Sequence, residues 1–77
     1  MTFAAYAENG IFYAFVESSI DPDYWCVTCV KNDEHTSHVL GRAKRDMKEE
    51  VLVNWIWKRM ARKVAANGIA RMEKIHS

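Results

Sequence analysis

Short segments that contain many apolar residues, separated by polar turn-forming residues, make up the first half of this chain, as expected for strands. These segments are rich in aromatic and β-branched residues, which favour strands. They predict strands at residues 3–7, 11–18, 24–31 and 35–41, although the alanines of the first segment suit a helix equally well. Because the connections between them are short, we predict an antiparallel β-meander of three to four strands within residues 2–42.

Turn-forming residues separate these segments. Asn9-Gly10 is typical of a tight hairpin, because both residues tolerate positive φ. Pro22 lies in a loop at residues 18–23, and residues 32–34 predict a second hairpin turn.

The hydrophobic period changes to that of a helix near residue 46. Asp46 and Glu49 have the spacing of a capping box, and Asn67-Gly68 can end a helix in the left-handed conformation. We therefore predict a helix at about residues 46–66, with one broad apolar face that covers one face of the sheet. The residues of this face are Leu52, Val53, Ile56, Trp57, Met60, Ala61 and Val64.

The C-terminal segment, residues 69–75, is compatible with two structures. Ile69, Met72 and Ile75 have near-helical spacing, but the length also suits an edge strand. We favour a short final strand, or an extended tail that packs against the sheet. The sequence thus predicts one α+β domain over residues 1–77, in which a single long C-terminal helix packs on a small sheet.

The composition is that of a folded domain. A chain of 77 residues has room for one hydrophobic core, and its 49% hydrophobic content argues against a disordered chain. No apolar run approaches the roughly 18 residues that a membrane span needs. The first residues carry no positive side chain and are too few for a secretory signal. We therefore expect a cytoplasmic protein without membrane contact.

The net charge of +1 hides a difference between the two halves. Residues 1–38 carry a net charge of −5, and residues 39–77 carry +6. Such a division suggests an electrostatic partner for the basic half or a head-to-tail contact between copies. The alternative is that an acidic sheet and a basic helix attract each other within the fold.

Trp55 is predicted to lie on the outward face of the helix, among bases. Trp and Arg are enriched at binding hot spots, so this face suggests a partner-binding site. Alternatively, Trp55 covers the C-terminal segment, a second copy or the stems of its neighbours. Bases in the connector before the helix could add to the site, because helix N-termini favour anions, or could be an ordinary solvated connector. The predicted partner-binding residues are Trp55, Lys58, Arg59, Arg62, Lys48, Val51, Arg42, Lys44 and Arg45.

Two cysteines and two histidines suggest a metal site: Cys26, Cys29, His35 and His38. Thiolate and imidazole groups are zinc ligands, and the Cys-x2-Cys spacing suits zinc, but the later spacings do not. A regular strand would also point the two cysteines to opposite faces. A hairpin centred between residues 33 and 34 would place Cys29 opposite His38, which leaves a partial site. We favour no metal cofactor, with Cys29 as a core residue.

No catalytic constellation is apparent in the sequence. The serines lack the surroundings of an activated nucleophile, and the glycines do not form a phosphate-binding loop. We therefore expect a protein that is not an enzyme.

One helix covers only one face of a sheet, so the other face remains open and carries aromatic residues. This face could bind single-stranded RNA, but the acidic strand half suits a protein partner or a homodimer better. Our first hypothesis is a small non-catalytic protein-binding module. In size and build alone, the chain resembles the compact inhibitors of host machinery that phages and mobile elements encode. The alternatives are a nucleic-acid-binding module that uses the basic outer face of the helix, and a small zinc-stabilised interaction domain.

Overall fold

Five antiparallel strands and one helix make up the computed structural model, which describes residues 1–75. The predicted α+β class and the final strand are confirmed. The elements are β1 (Thr2–Ala7), β2 (Gly10–Ser18), β3 (Tyr24–Lys31), β4 (His38–Lys44), α1 (Glu49–Lys63) and β5 (Arg71–Ile75).

The strand order in the sheet is β4-β3-β2-β1-β5. The first four strands form the predicted meander, in which each strand pairs with the next. The helix then carries the chain from the β4 edge to the opposite edge, where β5 pairs antiparallel with β1. The first strand is therefore an inner strand, and the last strand is an outer one.

The first hairpin forms as predicted, but its turn lies one residue earlier than the Asn-Gly pair indicated. Ala7 pairs with Gly10, so Glu8 and Asn9 form the turn. Of the Asn9-Gly10 pair, only Gly10 has positive φ (138°). The Asn9 side chain has another role. Its amide donates to the Ala65 carbonyl (2.8 Å) and accepts from the Asn67 N–H (3.0 Å). The turn is thereby tied to the segment that follows the helix.

Strand β4 begins and ends three residues later than predicted. The hairpin register is correct, since Cys29 pairs with His38. A bulge then shifts the pairing, and the strand continues to Lys44. Arg42 and Lys44 therefore belong to a strand, and the prediction that they lie in a solvated connector is wrong. Their alternation with small residues is that of an edge strand.

The predicted helix ends are also wrong. Asp46 lies in the turn after β4, and the helix begins at Glu49 without a side-chain cap. It ends at Lys63 instead of residue 66, because Ala65 takes positive φ (52°) and the Ala66 N–H returns to the Met60 carbonyl. The tertiary bond from Asn9 to Ala65 stabilises this early end.

The core lies between the helix and one face of the sheet. The helix contributes Leu52, Ile56 and Met60 as buried residues, as predicted, whereas Ala61 is exposed. No polar or charged residue is buried in the described part of the chain. Among the same residues, no helix combines the length and apolar character needed to cross a bilayer. The largest fully buried side chains are Phe3, Leu40, Leu52, Ile56, Met60, Val16, Val27 and Cys29.

Candidate partner-binding site

The helix meets the sheet closely at Gly41 of β4. A Cβ atom at this position would lie 3.3 Å from Arg59 Nη1 and 3.6 Å from Trp55 Cη2. The backbone φ of Gly41 is +135°, a value that other residues rarely adopt. Glycine therefore allows the helix side chains to lie directly on the β4 backbone.

Trp55 fills this junction, and the prediction that it lies on the outward face of the helix is wrong. The indole is half-buried and packs against the hydrophobic core. Arg59 lies over it, with the guanidinium carbon 4.9 Å from the ring centroid, and donates from Nη1 to the Leu40 carbonyl (3.2 Å). Both side chains thus fix the helix to the edge strand. A helical wheel does not show this, because it ignores how far the helix is displaced toward one edge of the sheet.

Two more arginines near this edge lie over aromatic rings of β3. The Arg42 guanidinium is 4.9 Å from the centroid of Tyr24, and that of Arg45 is 4.2 Å from the centroid of Trp25. These contacts hold the cations in defined positions while their charge remains. Tyr24 and Trp25 were not among the predicted site residues. In the sequence, these aromatic residues indicated only a strand.

The predicted bases lie around the β4 edge of the sheet, with Arg42 and Lys44 on the open face of β4 and Lys58, Arg59 and Arg62 on the helix side. We call this edge region the basic flank and define it by Arg42, Lys44, Arg45, Lys48, Lys58, Arg59 and Arg62. The first three come from β4 and the turn after it, and the others from the helix and its N-cap. The last three share the side of the helix that carries Trp55, because residues three and four apart are neighbours on a helix.

No residue of the basic flank forms an ion pair within residues 1–75. The salt bridges of this part of the chain join Lys31 to Asp33 and Lys74 to Glu49, which lie elsewhere. Two acids, Asp23 and Asp46, line an open cleft of about 540 Å³ at one end of the flank. The flank thus presents seven cations whose charge is largely uncompensated.

Exposed apolar side chains border the flank. Val39 of β4 is 64% exposed, and Val51 of the helix, which was predicted as a site residue, is 49% exposed. Apolar residues beside unpaired cations are typical of surfaces that bind proteins.

The four predicted metal ligands do not form a single site. Cys26 and Cys29 point to opposite faces of β3, as strand geometry requires. Cys29 does pair with His38, but it is fully buried, and burial raises the pKa of its thiol to about 11. His35 lies in the exposed loop before β4. Within residues 1–75, no group of three or more Cys, His, Asp or Glu residues is close enough to hold a metal ion.

The open face of the sheet carries a row of partly exposed aromatic and aliphatic side chains. Tyr13 and Phe15 of the central strand β2 occupy its middle. At the β5 side, Arg71 lies 4.3 Å from the ring centroid of Tyr6, and the Tyr6 hydroxyl donates to Glu73 Oε1 (2.6 Å). This hydrogen bond raises the pKa of Tyr6. Arg71 and Glu73 therefore place charges at the β5 edge of this face.

Comparison of the sequence with protein-family models gives no match, and neither curated proteins nor solved structures match it.

Proposed function

We propose that this chain is a non-catalytic protein-binding module whose basic flank contacts an acidic surface of a partner protein. Binding would itself be the function, for example the inhibition of host machinery by occupying an acidic contact surface. The partner's carboxylates would pair with the flank cations, and apolar partner residues would cover Val39 and Val51.

The observation that carries this proposal is the number of cations around the β4 edge that have no acidic partner within residues 1–75. The side chains of Lys44, Lys58 and Arg62 make no hydrogen bond or ion pair within residues 1–75 and are exposed. Charges that stabilise a fold are usually paired, so a group of unpaired charges around one edge suggests a function in association.

The arginines that lie over the aromatic rings near the flank favour a protein partner over a nucleic acid. Single-stranded nucleic acids bind by stacking bases on aromatic faces. Here each of Tyr24, Trp25 and Trp55 has a guanidinium over one of its faces. Asp23 and Asp46 beside the flank would also repel phosphates. A nucleic-acid-binding module that uses the same cations is the second candidate function.

The experiment compares three probes by two-dimensional NMR of the ¹⁵N-labelled protein at two salt concentrations. The probes are a 20-residue peptide of mixed acidic and apolar residues, a neutral peptide of equal length, and a mixed-sequence 20-nucleotide single strand. We expect the acidic peptide alone to shift the amides of β4 and of the Trp55 side of the helix. The absence of flank shifts at low salt would contradict the proposal, and tighter, salt-sensitive binding of the oligonucleotide would favour the second candidate.

A matched pair of variants tests the location. Lys44→Glu with Arg62→Glu reverses two flank charges, and Lys31→Glu with Lys63→Glu makes the same charge change beside a different cleft. We expect the first pair to weaken peptide binding at least about tenfold, and the second pair to have little effect. Equal losses in both would show that net charge alone attracts the peptide.

A further inference from the structure

The outer strand β5 offers backbone groups for pairing. The N-terminal amine of Met1 donates to the Val16 carbonyl, and the Val16 N–H donates to the Met1 carbonyl. Hydrogen-bonding direction alternates along a strand, so Thr2, Ala4 and Tyr6 direct their N–H and C=O groups toward β5. Their partners on β5 are Ile75, Glu73 and Arg71. The backbone groups of the two intervening residues therefore point away from the sheet.

These outward groups belong to Met72 and Lys74, and they accept or donate no hydrogen bond within residues 1–75. The strand also has no bulge and no proline. Unpaired backbone groups on a regular edge strand can pair with another strand.

The side chains of β5 determine which strand fits. Arg71 and Glu73 lie on the open face of the sheet, on either side of Met72, and both are exposed. When two copies of β5 pair antiparallel about an axis at Met72, Arg71 of each copy lies opposite Glu73 of the other. Opposite charges at directly facing positions stabilise antiparallel pairs, whereas like charges destabilise them. The register shifted by two residues would place Glu73 opposite itself, so the charges select the first register.

We infer that β5 pairs with β5 of a second copy of this chain, which gives a continuous ten-stranded antiparallel sheet about a two-fold axis. The N–H and C=O groups of Met72 bond to those of the partner copy. The Lys74 N–H donates to the Ala70 carbonyl across the axis. Because the contact is isologous, each favourable pair occurs twice.

The charged side chains of β5 are already positioned for this register within residues 1–75. Lys74 is paired with Glu49 on the helix face (2.8 Å), so its charge is compensated. Glu73 holds the Tyr6 hydroxyl through Oε1, which fixes its position on the open face. Ile75 is 37% exposed on the same face as Glu73, so pairing would cover part of an apolar side chain.

The test uses complementary charge variants and analytical ultracentrifugation over a concentration series. We expect the unaltered chain to dimerise. Glu73→Arg and Arg71→Glu each place like charges opposite one another, and each should weaken dimerisation by about tenfold or more. An equimolar mixture of the two single variants restores opposite charges at both positions, and it should form heterodimers with the affinity of the unaltered chain.

A second pair of variants tests the backbone bonds. Lys74→Pro removes an outward N–H and leaves the β1 ladder intact, whereas Lys74→Ala loses only the Glu49 contact. We expect the proline variant to be monomeric and the alanine variant to dimerise. A monomeric unaltered chain at all concentrations would overturn the inference, as would a dimer that is indifferent to both charge variants. Lys44→Glu with Arg62→Glu should leave the dimer unchanged, so this inference and the proposed function fail separately.

Discussion

The two outer strands of the sheet, β4 and β5, differ in their backbones. Any outer strand has backbone groups that no neighbouring strand pairs with. On β4, the Leu40 carbonyl accepts from Arg59 and the Lys44 carbonyl accepts from the Met47 N–H. A bulge further interrupts the strand. On β5, the corresponding groups of Met72 and Lys74 are open within residues 1–75.

The difference indicates separate roles for the two sides of the molecule. Bulges, basic side chains and covering groups are the usual means by which proteins prevent strands from pairing at an edge. Edge β4 is interrupted by a bulge and carries cationic side chains, which suits recognition through side chains. Edge β5 has a regular backbone and a self-complementary charge pattern, which suits pairing with an identical strand. The following changes test this division, from the largest expected effect to the smallest.

Gly41→Val should have the largest effect on stability, because it places a side chain at the β4–helix junction. The new Cβ would crowd Arg59 and Trp55, and φ of +135° strains any residue except glycine. We expect the free energy of unfolding to fall by about 2–4 kcal/mol. Urea denaturation measures this change, with Arg42→Val on the same strand as the control. A loss no larger than that of the control would contradict the described junction.

High pH should lower the free energy of unfolding, because Cys29 of β3 is buried next to β4. Burial raises the pKa of this thiol to about 11, above its value in the unfolded chain, so the folded protein favours the protonated form. The stabilisation is complete below about pH 8.5 and is lost as the pH rises toward 11, at a cost of about 2–3 kcal/mol. Unfolding of the unaltered chain and of Cys29→Ala between pH 8 and 11 isolates this contribution. Parallel pH profiles of the two proteins would contradict it.

Trp55→Ala should cost about 2 kcal/mol of stability, less than for a fully buried aromatic residue, because the indole is only half-buried. Trp55→Phe should recover much of the loss, since a smaller ring can still pack on Gly41. Thermal unfolding of both variants measures the difference. If Trp55→Ala unfolds like the unaltered chain, the indole does not stabilise the junction, and its role would be confined to partner contact.

Glu73→Gln should have the smallest effect, and it concerns β5. The hydrogen bond to Glu73 is the main reason that the pKa of Tyr6 is raised, so removing the carboxylate charge should lower that pKa toward its usual value. Absorbance of tyrosinate between pH 9 and 12 follows the titration, and Glu17→Gln on the same face is the control. An unchanged Tyr6 titration would show that Glu73 does not hold the hydroxyl.

The sequence was sufficient for the parts of the fold that depend on local pattern. Residue types and turn signals located the strands, and the turn at residues 32–34 gave the correct pairing of Cys29 with His38. The length of β4 was not predictable in this way, because Arg42 and Lys44 lie on an edge strand, where polar residues are common. The helix end depends on Asn9, more than 50 residues away in the chain.

For the candidate site, the sequence identified the bases but not their arrangement. Trp55 was placed on the outer face because a helical wheel treats the underlying sheet as centred below the helix. The isolated glycine at position 41 was the one local indication of a close approach, since glycine within a strand often marks a bulge or a tight contact. The open groups of β5 depend on its pairing with β1, which no local pattern specifies.

The pairing of the first strand with the last has a consequence for how the protein folds during synthesis. The hydrogen bond from Tyr6 to Glu73 joins residues separated by 67 positions, so this part of the sheet forms only after residues 71–75 have been synthesised. Until then, β1 is itself an outer strand, and its residues Phe3, Ala4 and Ala5 are apolar. Docking of β5 therefore covers this edge of β1 and leaves the backbone groups of Met72 and Lys74 at the new edge of the sheet.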